Sequence, residues 1–132
     1  MNYINIRISA DILNFDDINE KLQFDNAIFH KKGDCGEYKG EKFIFNEDIW
    51  QTKVEVPEDE AVSLIEQLVK KMYENKDFLR ELSDKSDFSL WLTIYSEVIQ
   101  QNFRVNNNIL KMMSEIGINF DVSIMNLEQF YG

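Results

Sequence analysis

The chain has 132 residues and a mass of 15.7 kDa, with 24 acidic side chains against 14 basic ones and a formal net charge of −10. A hydrophobic fraction of 44% supplies a core and excludes a disordered chain, while the charge opposes nucleic-acid backbones and anionic membranes, favours cationic partners and keeps the protein in solution. One cysteine and one histidine exclude an intrachain disulfide and fall short of a His/Cys zinc site.

Residues 3–9 alternate, with Ile4, Ile6 and Ile8 on one side and Asn5, Arg7 and Ser9 on the other, the pattern of a half-buried strand. A helix capped near Asn14 follows. Phe15, Ile18 and Leu22 share its inner face, and Asp16, Asp17 and Glu20 occupy the early turns, where carboxylates suit the helix dipole. Residues 25–41, interrupted by Gly33, Gly36 and Gly40, read as a surface loop carrying His30, Lys31, Lys32 and Cys35. Residues 42–56 read as a β-hairpin turning at Asn46-Glu47-Asp48, with Trp50, Thr52, Val54 and Val56 on one side of its second arm.

Pro57 ends that strand and opens a helix with Glu58, Asp59 and Glu60 in its first turn. Ala61, Leu64, Ile65, Leu68, Val69 and Met72 then fall at core spacing. Phe78, Leu79 and Leu82 predict one more helical turn before the polar 83–87 break. In the strand 88–96, Phe88, Leu90, Leu92 and Ile94 face one way and Trp91, Thr93 and Tyr95 the other; apolar residues on both sides predict a central strand. A helix is predicted from Asn102 to Ile116, stopped by Gly117, and a last strand from Ile118 to Met125. Phe130 and Tyr131 in the tail are expected to dock on the body.

The halves echo each other. Asn14-Phe15 returns as Asn102-Phe103, and Leu22 matches Leu110 at the same offset. The pattern predicts one domain over 1–132 with an internal repeat, 3–56 and 88–125. It predicts an α+β fold with a single, mainly antiparallel sheet and helices packed on one face, ferredoxin-like or built from pseudo-duplicated βαβ units.

No stretch carries a catalytic signature. His30 and Cys35, with Asp34 or Glu37, lack a spacing that brings nucleophile and base into contact. Lys31-Lys32-Gly33 comes without a phosphate-loop pattern, and the acidic helix starts repel phosphate. No catalytic residue, metal or cofactor is therefore expected. The acidic clusters serve the helix dipole and also offer a surface to a basic protein. The candidate contacts are Asp16, Asp17, Glu20, Glu47 and Asp48. The alternative is a small-molecule pocket between sheet and helices, walled by Trp50, Trp91 or Tyr95. With no basic leader and no apolar run of membrane-spanning length, a soluble cytoplasmic protein is expected.

Several stretches together resemble the bacterial domain of unknown function 4279 family over nearly the whole chain. They are Tyr3-Ile4-Asn5-Ile6-Arg7-Ile8-Ser9-Ala10-Asp11 and its following helix, the Lys31-Lys32-Gly33-Asp34 loop, Trp50 opening a strand that leads through Glu58-Asp59 into a helix, and Leu90–Tyr95 followed by a helix and Ile118–Ile124. The resemblance implies a small, stand-alone α+β protein of bacteria and brings no activity, cofactor or catalytic residue to any position. The acidic surface and the lack of a catalytic motif lead to the expectation of a non-catalytic protein-binding module, in its most concrete form an immunity-type protein that neutralises a basic toxin domain. The alternative expectation is a small-molecule-binding or regulatory ferredoxin-like domain.

Overall fold

The alternation of Ile4, Ile6 and Ile8 places β1 (Asn2–Ala10) at the centre of a five-stranded sheet in a computed structural model that describes residues 2–96 and 104–126. The remaining elements in chain order are α1 (Phe15–Leu22), β2 (Ile28–His30), β3 (Cys35–Tyr38), β4 (Glu41–Ile44), β5 (Asp48–Val56), a 3-10 turn (Glu58–Glu60), α2 (Ala61–Tyr73), α3 (Lys76–Ser83), β6 (Asp87–Ser96), α4 (Asn107–Ile116) and β7 (Asn119–Asn126). The sheet order is β2-β5-β1-β6-β7, antiparallel throughout except for the parallel β6–β7 pair. β3 and β4 form a separate two-stranded sheet.

The register explains the core. Ile8 lies between Trp50 and Phe88, Ile6 between Thr52 and Leu90, and Ile4 between Val54 and Leu92. Residues directly opposite in a sheet share a face, so these rows present one apolar surface. Phe15, Ile18 and Leu22 of α1, Ile65, Val69 and Met72 of α2, Leu79 of α3 and Ile109, Met113 and Ile116 of α4 close over it in one contiguous cluster. Each of the three buried isoleucines of β1 contributes roughly 1.5–3 kcal/mol of transfer free energy. The opposite face carries Tyr3, Asn5, Arg7, Gln51, Lys53, Trp91 and Tyr95, all exposed or half-buried. The fold is thus α+β, with a mainly antiparallel sheet and helices packed against it.

Local chemistry sets the helix ends. The Asn14 side chain accepts from the Asp17 N–H at 3.2 Å and caps α1. Pro57, extended at φ −60° and ψ 146°, delivers β5 into the 3-10 turn ahead of α2. The short turn expected around Leu79 is a full helix, α3. The helix start expected at Asn102 is corrected: α4 begins at Asn107, where the Asn106 side chain accepts from the Asn108 N–H at 2.7 Å. Asn102, Phe103, Phe130 and Tyr131 lie outside the described residues. Among the described residues only β6–α4–β7 closes a parallel βαβ unit, whereas β1 and β5 run antiparallel.

The hairpin expected over 42–56 is also corrected. β4 pairs with β3 rather than β5, and β5 pairs with β1 and β2. The turn lies at Lys39-Gly40, whose φ values of 51° and 81° are those of a two-residue hairpin loop. Asn46 and Glu47 merely redirect the chain from one sheet into the other. The stretch 25–41, expected as loop, consequently holds β2 and β3.

Candidate functional site

At the end of β1 the chain leaves the sheet through Asp11-Ile12-Leu13 and enters α1. Two adjacent apolar residues on a crossing this short cannot both turn inward. Leu13 is buried, and Ile12 is 82% exposed, the most exposed large apolar side chain among the described residues.

One carboxylate fastens this crossing to its neighbours. Asp48 is the first residue of β5 and pairs with Ala10. Its Oδ2 accepts from the Leu13 N–H at 2.9 Å, and its Oδ1 accepts from the Lys32 N–H at 2.8 Å. Asp34 accepts from the Lys31 N–H at 2.8 Å and closes the turn after β2, and the Lys32 ammonium pairs with Asp11 at 2.5 Å. The N–H groups of Lys32 and Leu13 favour the charged form of Asp48 and hold its carboxyl below the ordinary aspartate range. The hydrogen bond and charge of Asp11 likewise raise the Lys32 ammonium above the ordinary lysine value.

The clamp makes stability depend on acid. A carboxyl whose folded pKa lies below its unfolded one stabilises fully above the unfolded value of about 3.9, and that contribution disappears as pH falls through the lower folded value. Asp48→Asn should cost about 1 kcal/mol at neutral pH and flatten the acid arm of the stability curve. Calorimetric melting from pH 2 to pH 6 reads this; wild-type and variant curves that stay parallel would show that the clamp is not formed.

The clamped segments and β2 leave a groove of about 630 Å³ between them. Its apolar lining is Ile12, Leu13, Phe15 and Phe29, with Phe29 48% exposed and stacked on Phe15 at 5.0 Å and 24°. Asp16 and Asp48 lie on its wall beside Lys31. An exposed aromatic and an exposed isoleucine beside carboxylates make a surface suited to a protein partner: apolar anchors for affinity, charge for orientation.

The acidic candidates divide. Asp16, Asp17 and Glu20 are exposed on α1, and Glu47 is exposed before β5. Asp48 spends both oxygens on backbone N–H groups, so it positions the groove rather than reaching out of it. Of the five, Asp16 and Asp48 share the groove, and Asp17, Glu20 and Glu47 lie off its walls.

The aromatic candidates lie on opposite faces of the sheet. Trp50 is 0% exposed on the helix side, where its indole N–H donates to Asn19 Oδ1 at 2.8 Å and Phe24 lies 6.0 Å away. Trp91 and Tyr95 are on the other face. Trp91 is 42% exposed and donates to Ser123 Oγ at 2.9 Å, and Tyr95 meets the Tyr3 ring edge-on at 6.2 Å. With the sheet between them, the three do not form one wall, and Trp50 is a core residue. His30 stacks on Phe45 at 4.3 Å and 8°, while Cys35 is an exposed thiol at the start of β3. Among the described residues no three or more His, Cys, Asp or Glu side chains cluster to hold a metal, and no helix is long and apolar enough to cross a membrane.

No sequence motif marks Ile12 or Phe29. Phe29 belongs to β2, a three-residue strand too short to show a period. The Ile12-Leu13 pair ahead of a helix cap was the one available signal that an apolar side chain must point outward.

A family model described as "Domain of unknown function (DUF4279)" matches residues 2–127. No curated protein and no solved structure matches the chain.

Proposed function

We propose, from the premise that this chain belongs to the DUF4279 family, that it is a non-catalytic protein-binding module of the bacterial cytoplasm. It neutralises a basic toxin domain by covering it, as an immunity protein does. The observation that carries this reading is the groove beside α1, where exposed Ile12 and Phe29 adjoin Asp16, with Asp17 and Glu20 on the same helix. Charge at the rim of such a surface speeds encounter, and apolar anchors at its centre hold the complex together. A net charge of −10 supplies the long-range attraction to a cationic domain.

The two contributions separate in kinetics. The test takes basic proteins encoded by the neighbouring genes and measures association and dissociation at low and high salt. Asp16→Lys with Asp17→Lys should slow association roughly tenfold at low salt and matter little at high salt, where the Debye length is only a few ångströms. Phe29→Ala should leave association unchanged and speed dissociation about 30-fold, the size of a hot-spot loss near 2 kcal/mol. An association rate indifferent to salt, or a Phe29→Ala variant that dissociates like wild type, refutes the assignment of this surface.

A further inference from the structure

Two features of the groove beside α1 are left unanswered by the rest of the chain. The first is an aromatic face. Phe29 is 48% exposed, and its ring stacks on Phe15 at 5.0 Å and 24°. Phe15 covers one side of that ring and leaves the other to solvent. Elsewhere the chain lays its own lysines over aromatic rings: Lys53 over Tyr3 at 4.2 Å, Lys71 over Phe24 at 4.4 Å and Lys76 over Tyr73 at 5.0 Å. Among the described residues no cation lies over Phe29.

The second is a carboxylate. Asp16 follows Phe15 in the first turn of α1 and lines the same groove. It is exposed, and among the described residues it has no ion pair. The other carboxylate of the groove is already answered. Asp48 accepts two backbone N–H groups, and the charge of Lys31 on the groove wall also favours its ionised form. An open ring face beside an unpaired carboxylate is a site for a cation.

We infer, building on the groove as the surface that meets a basic protein, that the partner anchors itself there with an arginine side chain. Its guanidinium lies on Phe29 as a third layer over the Phe15–Phe29 stack, its aliphatic stem rests on Ile12, and its N–H groups turn towards Asp16. The wall selects a cation, since an apolar anchor seated here would strip water from Asp16 and return no partner to it. The ring selects arginine among the cations. A guanidinium is planar and weakly hydrated, so it lies flat on an aromatic face, whereas an ammonium is compact and keeps its water. Arginine is also among the residues that dominate binding energy at protein interfaces. Because Asp16 is exposed, its pair with the guanidinium orients the side chain and is screened by salt, while the stack and the stem hold it.

Three capped amino acids isolate the anchor from the rest of any partner: the amides of Nα-acetylarginine, Nα-acetyllysine and Nα-acetylnorleucine. Titrated to about 50 mM against isotope-labelled protein at low salt, the arginine compound should give saturable NMR shifts centred on Ile12, Asp16 and Phe29, with a Kd of about 10 mM. The lysine compound should bind about fivefold more weakly. The norleucine compound, a stem without a charge, should give no saturable shift. Phe29→Leu keeps an apolar side chain but removes the aromatic face, so it should reduce the arginine compound to the affinity of the lysine one while the melting temperature stays close to wild type. Asp16→Asn should weaken the arginine compound about threefold at low salt. A groove silent to arginine overturns the inference. So do arginine and lysine shifts of equal size spread over the acidic surface, norleucine binding as well as arginine, or a Phe29→Leu variant that binds arginine like wild type. None of these results touches the basic-partner assignment as long as Phe29→Ala still speeds dissociation of that partner; a partner that ignores Phe29→Ala sinks both.

Discussion

Trp50→Ala should destabilise the protein by about 3–5 kcal/mol, and thermal denaturation should show it as a fall in melting temperature on the order of 10–20 °C. Trp50 is among the largest fully buried side chains. It lies across from Ile8 on the central strand, with Phe24 beside it and its indole N–H on Asn19 of α1. Truncation removes transfer free energy, opens a cavity between α1 and the sheet, and unties the helix that displays Asp16, Asp17 and Glu20. Trp50→Phe separates these effects. It keeps most of the volume and loses the hydrogen bond, so a cost of about 1–2 kcal/mol is expected. Were Trp50→Ala to melt within a few degrees of wild type, the packing of α1 described above would be wrong.

Gly117→Ala should cost about 2–3 kcal/mol by two separable routes. Gly117 closes α4 in the left-handed region at φ 85°, its N–H donating to the Met113 and Ser114 carbonyls. Any L side chain there carries a conformational cost of about 1–2 kcal/mol. The site is also crowded from outside the helix: a Cβ would come within 2.1 Å of Ser83 Oγ and 2.9 Å of Ser83 Cβ on α3. A double-mutant cycle with Ser83→Gly distinguishes the two. In the Ser83→Gly background the clash is gone, and Gly117→Ala should cost only the backbone share, about 1–2 kcal/mol. An identical cost in both backgrounds would mean that α3 does not press on this turn.

Wherever an element announces itself through its own residues, the sequence was legible. The alternation of β1 and β6 named their buried faces residue by residue, because a strand's period of two is local. Asn14 as a cap and Gly117 as a stop were equally plain, since each acts on backbone groups within a turn of itself. The hairpin expected over 42–56 does not form, for the converse reason. Lys42–Phe45 and Trp50–Val56 both look like strands, and proximity in sequence made them seem partners. Their actual partners are β3 for one and β1 and β2 for the other. The helix start at Asn102 failed because an Asn-Phe pair imitates the α1 cap, while Asn106 holds the first turn of α4.

The candidate site was less legible than the fold. Acidic residues on α1 could be named, but their significance depends on Ile12 and Phe29, which come from different segments and meet only across the groove. Asp48 looked like one more surface acid, and its role as a clamp depends on two N–H groups distant in the chain.

By itself, the order of residues determined the class of the fold, the inward faces of its strands and helices, the helix boundaries at Asn14, Tyr73 and Gly117, and the acidic exterior. Each of these follows from periodicity, capping or charge, properties that a short stretch of chain carries with it. Tertiary structure alone decided which strands pair, that Trp50 is sealed in the core while Trp91 stays open, and where an apolar side chain is left without cover. Pairing and burial are relations between segments, and many partners are compatible with a given strand until the whole chain has packed.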